Sequence, residues 1–127
     1  MLHCLAIVRH VVGQFLFPAL EDIVRVVQLI SSIAHETQEK LNTLYAAVGE
    51  PGLGSELDQA GLRDGADIVH DYLSHGEAGV AFEHLLYMIK ESHIELSADG
   101  YRDLTCAGVI LEISPDKWST IRRATGG

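Results

Sequence analysis

Apolar residues recur at steps of three and four along most of this chain, which is the spacing that places side chains on one face of an α-helix. No segment reads as a β-hairpin or an internal repeat, and 127 residues with only three prolines suit one domain. We therefore expect an all-α fold, a compact single-domain bundle of about six to eight helices over residues 1–127. The first helix, ending near Phe17, carries Leu5, Val8, Val12, Phe15 and Leu16.

Two further helices are predicted before a loop at residues 49–55, which hold three glycines and one proline. The first begins at Pro18 and turns inward Leu20, Ile23, Val24, Val27, Ile30 and Ala34, with Val26 and Leu29 on a second face. A β-strand remains an alternative over residues 19–34, because β-branched residues are frequent there. The second helix, over residues 35–48, buries Leu41, Leu44, Tyr45 and Val48.

Helix boundaries are clearer in the second half of the chain. After a short helix near residues 56–62, a helix starting at 63–67 ends at Gly76, since glycine readily adopts the left-handed conformation that stops a helix. The next covers residues 77–92, Ser97 caps another, and Ser114 followed by Pro115 begins a last short helix with Trp118 and Ile121 inward. Residues 109–113 fit a strand equally well.

The net charge of −9 is concentrated in one stretch. Residues 50–103 contain twelve acids and three bases, so the rest of the chain sums to zero. Such a field repels phosphates and disfavours direct nucleic-acid binding, whereas it attracts a basic partner. The alternative is a solvated acidic surface that only keeps the protein soluble.

Cysteine usage and hydropathy bear on the compartment. Cys4 and Cys106 have neither metal-binding nor redox spacing and lie among apolar residues, which favours buried reduced thiols over a disulfide. The apolar beginning lacks the basic region of a signal peptide and is interrupted by Arg9 and His10, and no window of about 20 residues is apolar enough to cross a membrane. We expect a soluble, cytoplasmic protein without membrane association.

Chemistry-bearing motifs are lacking. The seven histidines form no pair with metal-binding spacing, and no glycine-rich phosphate loop or nucleophile motif occurs. We therefore expect no metal, no cofactor, no catalytic residue and no enzymatic activity. A small hydrolase using Glu77 and Glu83 is a minor alternative.

A contact surface is the remaining functional feature. Helical spacing places one group away from the apolar stripe of the helix before Gly76: Asp67, His70, Asp71 and Ser74. It places a second, mixed stripe on the following helix: Val80, His84, Tyr87 and Glu91. An aromatic anchor among charges is typical of interfaces, although Val80 and Tyr87 could instead pack under a neighbouring helix. The candidate partner contacts are Asp67, Asp71, Glu77, Glu83, Tyr87 and Glu91.

Residues 66–118 carry an ordered pattern that extends these features. It begins with Asp-Tyr-Leu ahead of His-Gly-Glu at 71–77, continues with Ala-Gly-Val-Ala at 78–81, and ends with Glu83, Leu85, Leu86, Glu91, Ile94, Leu96, Ser97, Tyr101, Gly108 and Trp118. This pattern resembles the MafI-type immunity proteins of bacterial polymorphic and contact-dependent growth-inhibition toxin systems. The first 60 residues have no counterpart in that resemblance.

The resemblance implies a protein that binds and neutralises a toxin and catalyses nothing. Toxins of such systems are commonly nucleases with basic clefts, so it implies a 1:1 complex with the C-terminal domain of a cognate toxin, formed in the cytoplasm. The acidic stretch suits occlusion of such a cleft. An alternative is a self-associating helical adaptor or structural protein without a toxin partner, and a homodimer is compatible with either function.

Overall fold

Residues 20–48 and 60–124, which the computed structural model describes, form four α-helices and one short 3₁₀ turn. The all-α prediction is confirmed for this part of the chain, which contains an isolated parallel bridge between Leu96 and Arg123 and no strand. The elements are α1 (Leu20–Val48), α2 (Gly65–Ser74), α3 (Ala78–Ser92), α4 (Ala98–Ile110) and the 3₁₀ turn Pro115–Lys117.

The expected number of six to eight helices is not supported, for two reasons in the described residues. The two helices predicted over residues 18–48 are one helix of 29 residues, because α1 contains neither glycine nor proline to interrupt its hydrogen bonds. The predicted last helix is only a 3₁₀ turn. The helix expected near residues 5–17 and the loop at 49–55 lie outside the described residues.

Both alternative predictions of a β-strand, at residues 19–34 and 109–113, are wrong for the residues that the structure describes. Residues 20–34 belong to α1, and α4 continues through Ile110. The chain leaves α4 at Glu112, whose φ is 58°, and the Ile113 N–H donates to the Gly108 carbonyl. The apolar, β-branched composition of residues 109–113 therefore fits a buried helix end as well as a strand, and composition alone does not separate the two.

Helix α1 is the central helix, because it packs against α2, α3 and α4. Its buried apolar side chains are Val26, Ile30, Ile33, Ala34, Leu41 and Tyr45. The prediction that Leu20, Ile23 and Val24 point inward is wrong: they are 76%, 46% and 48% exposed. Leu44 and Val48 are also exposed. The start of α1 is apolar on two faces, and the position of the neighbouring helices determines which face is buried.

Side chains of α1 also cap two neighbouring helices. The carboxylate of Glu36 accepts hydrogen bonds from the Ser97 N–H at 2.7 Å and the Ser97 hydroxyl at 2.8 Å, and Ser97 Oγ accepts from Gly100 N–H at 2.9 Å. The amide oxygen of Gln38 accepts from the Ala66 N–H at 3.0 Å. Ser97 is thus the predicted N-cap of α4, and α1 supplies a second layer of capping from a distant part of the chain.

Residues 111–124, the C-terminal segment, pack over the core beside α3 and α4. The indole of Trp118 packs edge-on against Phe82, with ring centroids 5.8 Å apart, and the absence of a side chain at Gly108 leaves room for it. The Leu96 N–H donates to the Arg122 carbonyl at 3.0 Å, which holds the end of the segment. Trp118 and Ile121 are buried as predicted.

Two observations concern the expected compartment. Cys106 is buried and disulfide-bonded, so the prediction of a reduced thiol is wrong for this residue and no longer supports a cytosolic location. No helix within residues 20–48 and 60–124 is long and apolar enough to span a bilayer.

Candidate partner-binding surface

The outer face of α2 is polar, as its periodicity predicts. Asp67, His70, Asp71 and Ser74 are all exposed, whereas Val69 is fully buried against the core. This arrangement follows from the 100° rotation per residue, which separates the two groups onto opposite sides of a ten-residue helix. Asp67 and Asp71 lie one turn apart and present adjacent carboxylates to solvent.

A histidine adjoins the acids at the end of α2. His75 Nδ1 is 2.8 Å from the Asp71 carbonyl oxygen, so this nitrogen carries the proton. That hydrogen bond, followed by the negative charges of Asp71 and Glu77, raises the pKa of His75 above its ordinary value. Protonation of His75 therefore offsets part of the local negative charge as the pH falls.

Gly76 joins α2 to α3 in the conformation expected from the sequence. Its φ is +75°, and its N–H donates to the Leu73 carbonyl at 3.1 Å, which terminates α2. Glu77 follows at the N-cap of α3, is exposed, and makes no side-chain capping hydrogen bond. Its carboxylate is therefore directed to no backbone N–H of α3 and lies at the surface between the two helices.

The outer face of α3 carries two of the four residues of the predicted mixed stripe, Val80 and Glu91. Glu83 and Glu91 are exposed, and Val80 is 43% exposed, so Val80 does not pack under a neighbouring helix. The opposite face buries Phe82 and Leu85 completely. An exposed aliphatic residue near charged groups provides apolar contact area beside the acids.

Tyr87 has a structural role that its helical position did not reveal. Its hydroxyl donates to the Ala60 carbonyl at 2.6 Å, and its ring lies 5.4 Å from that of His84. His84 Nε2 is in turn 3.1 Å from the Gly61 carbonyl oxygen. Both aromatic side chains thus hold the turn at residues 60–61 against α3, and Tyr87 is only half-buried.

The basic residues Lys90 and Lys117 lie beside Glu83 on this surface, and neither was among the predicted contacts. A shallow groove of about 270 Å³ runs between α3 and the C-terminal segment, lined by Glu83, Leu86, Tyr87, Lys90, Ile113 and Lys117. Lys90 follows Glu83 by seven residues, a signal that was available in the sequence. Ile113 and Lys117 come from beyond α4, so only the tertiary structure brings them to this groove.

The hairpin of α2 and α3 nevertheless retains an excess of acids. Residues 60–92 contain six acidic and two basic residues. Five of the six predicted contacts are exposed acids on this hairpin: Asp67 and Asp71 on α2, Glu77 at the junction, and Glu83 and Glu91 on α3. Within residues 20–48 and 60–124, no group of three His, Cys, Asp or Glu side chains could hold a metal ion.

Comparisons of the chain with protein-family models, with curated proteins and with solved structures found no significant match. The resemblance to immunity proteins therefore stays a prediction from the residues quoted for the segment 66–118. The surface geometry described above is independent of that similarity.

Proposed function

We propose that this protein is an immunity protein that binds and neutralises a cognate bacterial toxin domain, a nuclease whose basic cleft it covers. The observation that supports this function best is the excess of exposed acids on the α2–α3 hairpin, whose contact candidates Asp67, Asp71, Glu77, Glu83 and Glu91 all reach solvent. A nuclease cleft binds phosphates and is basic, so an acidic surface competes for the same field. The pattern at residues 66–118 adds the family resemblance.

Charged and apolar side chains contribute differently to such a complex. Exposed carboxylates accelerate association and select a basic partner, while the lifetime of the complex depends on a desolvated apolar centre. Val80 and the groove beside Leu86 supply apolar area next to the acids. Tyr87 contributes through its exposed part, since its hydroxyl is already bonded to Ala60. The proposal includes a 1:1 complex, no catalytic step, no cofactor and no direct contact with nucleic acid.

A salt-dependent binding experiment tests this proposal. The tagged protein is mixed with the toxin C-terminal domain encoded beside it, and association is measured at low and high salt for wild type and for Asp71→Lys/Glu83→Lys. The matched control is Glu39→Lys/Glu95→Lys, which changes the net charge equally at exposed acids outside residues 60–92. We expect association to slow at least about tenfold in the first variant only.

Three outcomes decide the test. A complex that suppresses toxicity and weakens with hairpin reversal supports both function and surface. Equal effects of the two variants would reject the hairpin as the interface. Absence of any complex would reject the immunity function.

The proposed location is the cytoplasm, where the nucleic-acid substrates of such a toxin lie. Fractionation of producing cells into cytoplasmic and envelope fractions checks this part of the proposal. Recovery of the protein with the envelope would contradict it.

Self-association is the second candidate function, favoured by the exposed apolar side chains Leu20, Ile23 and Val24 at the start of α1. Exposed apolar patches of this kind mark protein contacts. Sedimentation equilibrium of wild type and of Val24→Glu tests it. A concentration-dependent dimer that Val24→Glu dissociates supports self-association, and a strict monomer rejects it.

A further inference from the structure

An apolar cavity lies where the first turns of α1 and α3 approach the end of α4. Its volume is about 300 Å³, and none of the six predicted contact residues lines it. One charged side chain, Asp22, contributes to its wall. The other lining residues are Ile23, Val26, Gly76, Ala78, Gly79, Ile110 and Leu111.

Asp22 is buried, at only 2% exposure. Within residues 20–48 and 60–124, its Oδ2 atom accepts no hydrogen bond. Arg25, one turn further along α1, has a charge that acts on Asp103 of α4. Burial of a carboxylate oxygen without a hydrogen bond is costly, so this position does not serve packing alone.

The helix ends around the cavity favour a cation beside Asp22. Ile110 and Leu111 stand at the C-terminus of α4, the partially negative end of that helix. The first turns of α1 and α3 are partially positive helix ends, but they supply no full counter-charge. The aliphatic walls suit a chain of methylene groups. The chemistry of the cavity is therefore that of an ammonium or guanidinium group on an aliphatic stem.

We propose that this cavity receives a lysine or arginine side chain of the basic partner, with Asp22 as its counter-ion. The inference rests on the proposed function and identifies a specific anchor for it. Glu77 is exposed and lies in sequence between the lining residues Gly76 and Ala78, so an acid from the predicted surface adjoins the cavity wall. A basic side chain entering here gains a charge-assisted hydrogen bond and covers the apolar wall, as interface anchors do.

A small probe tests the cavity without the toxin. N-butylguanidinium carries the proposed chemistry, and N-butylurea has the same shape without the charge. Methyl NMR of Val26 and Ile110 is followed during titration with each probe in wild type, Asp22→Asn and the control Glu39→Gln. We expect binding of the guanidinium only, weakened at least tenfold in Asp22→Asn and unchanged in Glu39→Gln.

Thermal unfolding distinguishes a binding role of Asp22 from a structural one. Since its Oδ2 atom accepts no hydrogen bond from the described residues, Asp22→Asn should leave the Tm unchanged or raise it. A lowered Tm together with unchanged guanidinium binding would overturn the proposal, as would equal binding of the two probes by wild type. If the probe binds as expected but no toxin complex forms, the proposed function fails and the cation site stands. If the toxin complex forms and Asp22→Asn does not weaken it, the anchor is wrong and the function stands.

Discussion

Replacement of Glu36 by alanine should destabilise the fold by detaching α1 from the start of α4. The Glu36 carboxylate accepts from the Ser97 N–H at 2.7 Å and from its hydroxyl at 2.8 Å, and it lies 3.0 Å from the Lys40 ammonium. The Glu36 side chain is 23% exposed, so water replaces these bonds only partly. We therefore expect Glu36→Ala to reduce the free energy of unfolding by about 2–3 kcal/mol, with most of the loss from the Ser97 bonds and under about 1 kcal/mol from the Lys40 pair.

A double-mutant cycle isolates the contact between these residues. Ser97→Ala removes the N-cap of α4 as well as one hydrogen bond to Glu36, and should cost about 2 kcal/mol. The double variant should lose roughly 1 kcal/mol less than the sum of the single losses, because the shared bond is removed only once. Urea denaturation of the four proteins provides the free energies.

The pH dependence of the stability that Glu36 contributes has a defined sign, which the variant Glu36→Gln tests. Burial raises the pKa of Glu36, but the hydrogen bonds from the Ser97 N–H, from Lys40 and from the Ser97 hydroxyl together lower it below its ordinary value of 4.5. A lowered native pKa contributes stability that is complete above pH 4.5 and is lost as the pH falls through the native value. The difference in stability between wild type and Glu36→Gln should therefore shrink below pH 4.5.

The control for this prediction is Glu39→Ala, on the same helix. Glu39 is 66% exposed and pairs with the exposed His35, so its removal should change stability by less than about 0.5 kcal/mol. Additive losses for Glu36→Ala and Ser97→Ala, or a loss for Glu36→Ala no larger than that for Glu39→Ala, would refute the capping argument.

Two further predictions concern packing and the proposed surface. Gly108→Ala places a Cβ 2.3 Å from the buried indole of Trp118 and should lower the free energy of unfolding by about 1–2 kcal/mol, as measured by urea denaturation. The control Gly79→Ala has open space around its Cβ and should be neutral or stabilising. Equal effects of the two variants would contradict this packing. Tyr87→Phe loses the hydrogen bond to Ala60 and should lower the free energy of unfolding by about 0.5–1 kcal/mol. Its affinity for the toxin, measured by calorimetry, should be unchanged. A large loss of affinity would instead identify the hydroxyl as a partner contact.

Local signals in the sequence predicted the helix boundaries of the second half well. Gly76 ends α2 with a positive φ, and Ser97 caps α4 through its own side chain. Both effects depend on a few neighbouring residues, so they are readable without knowledge of the fold. The length of α1 was missed because the segment from residue 18 to 34 is apolar on two faces and residues 35–48 on one, which suggested two helices, although no residue there interrupts a helix.

The candidate surface was predictable in part. Exposure of Asp67, Asp71 and Glu83 follows from helical periodicity, and the structure agrees. The bond from Tyr87 to Ala60 joins residues 27 positions apart, and Lys117 reaches the groove from beyond α4. Such contacts depend on the packing of whole helices, which periodicity alone does not specify.

The sequence by itself determined the helical class of the described residues, the caps at Gly76 and Ser97, and the concentration of acid on the α2–α3 hairpin. These properties depend on backbone preference, side-chain spacing and composition, all of which act within a few residues. Only the tertiary structure decided which side of α1 is buried, and that Asp22 lies in an apolar cavity instead of in water. Burial depends on what packs against a face, and for α1 the packing helices come from parts of the chain that lie far from it in sequence.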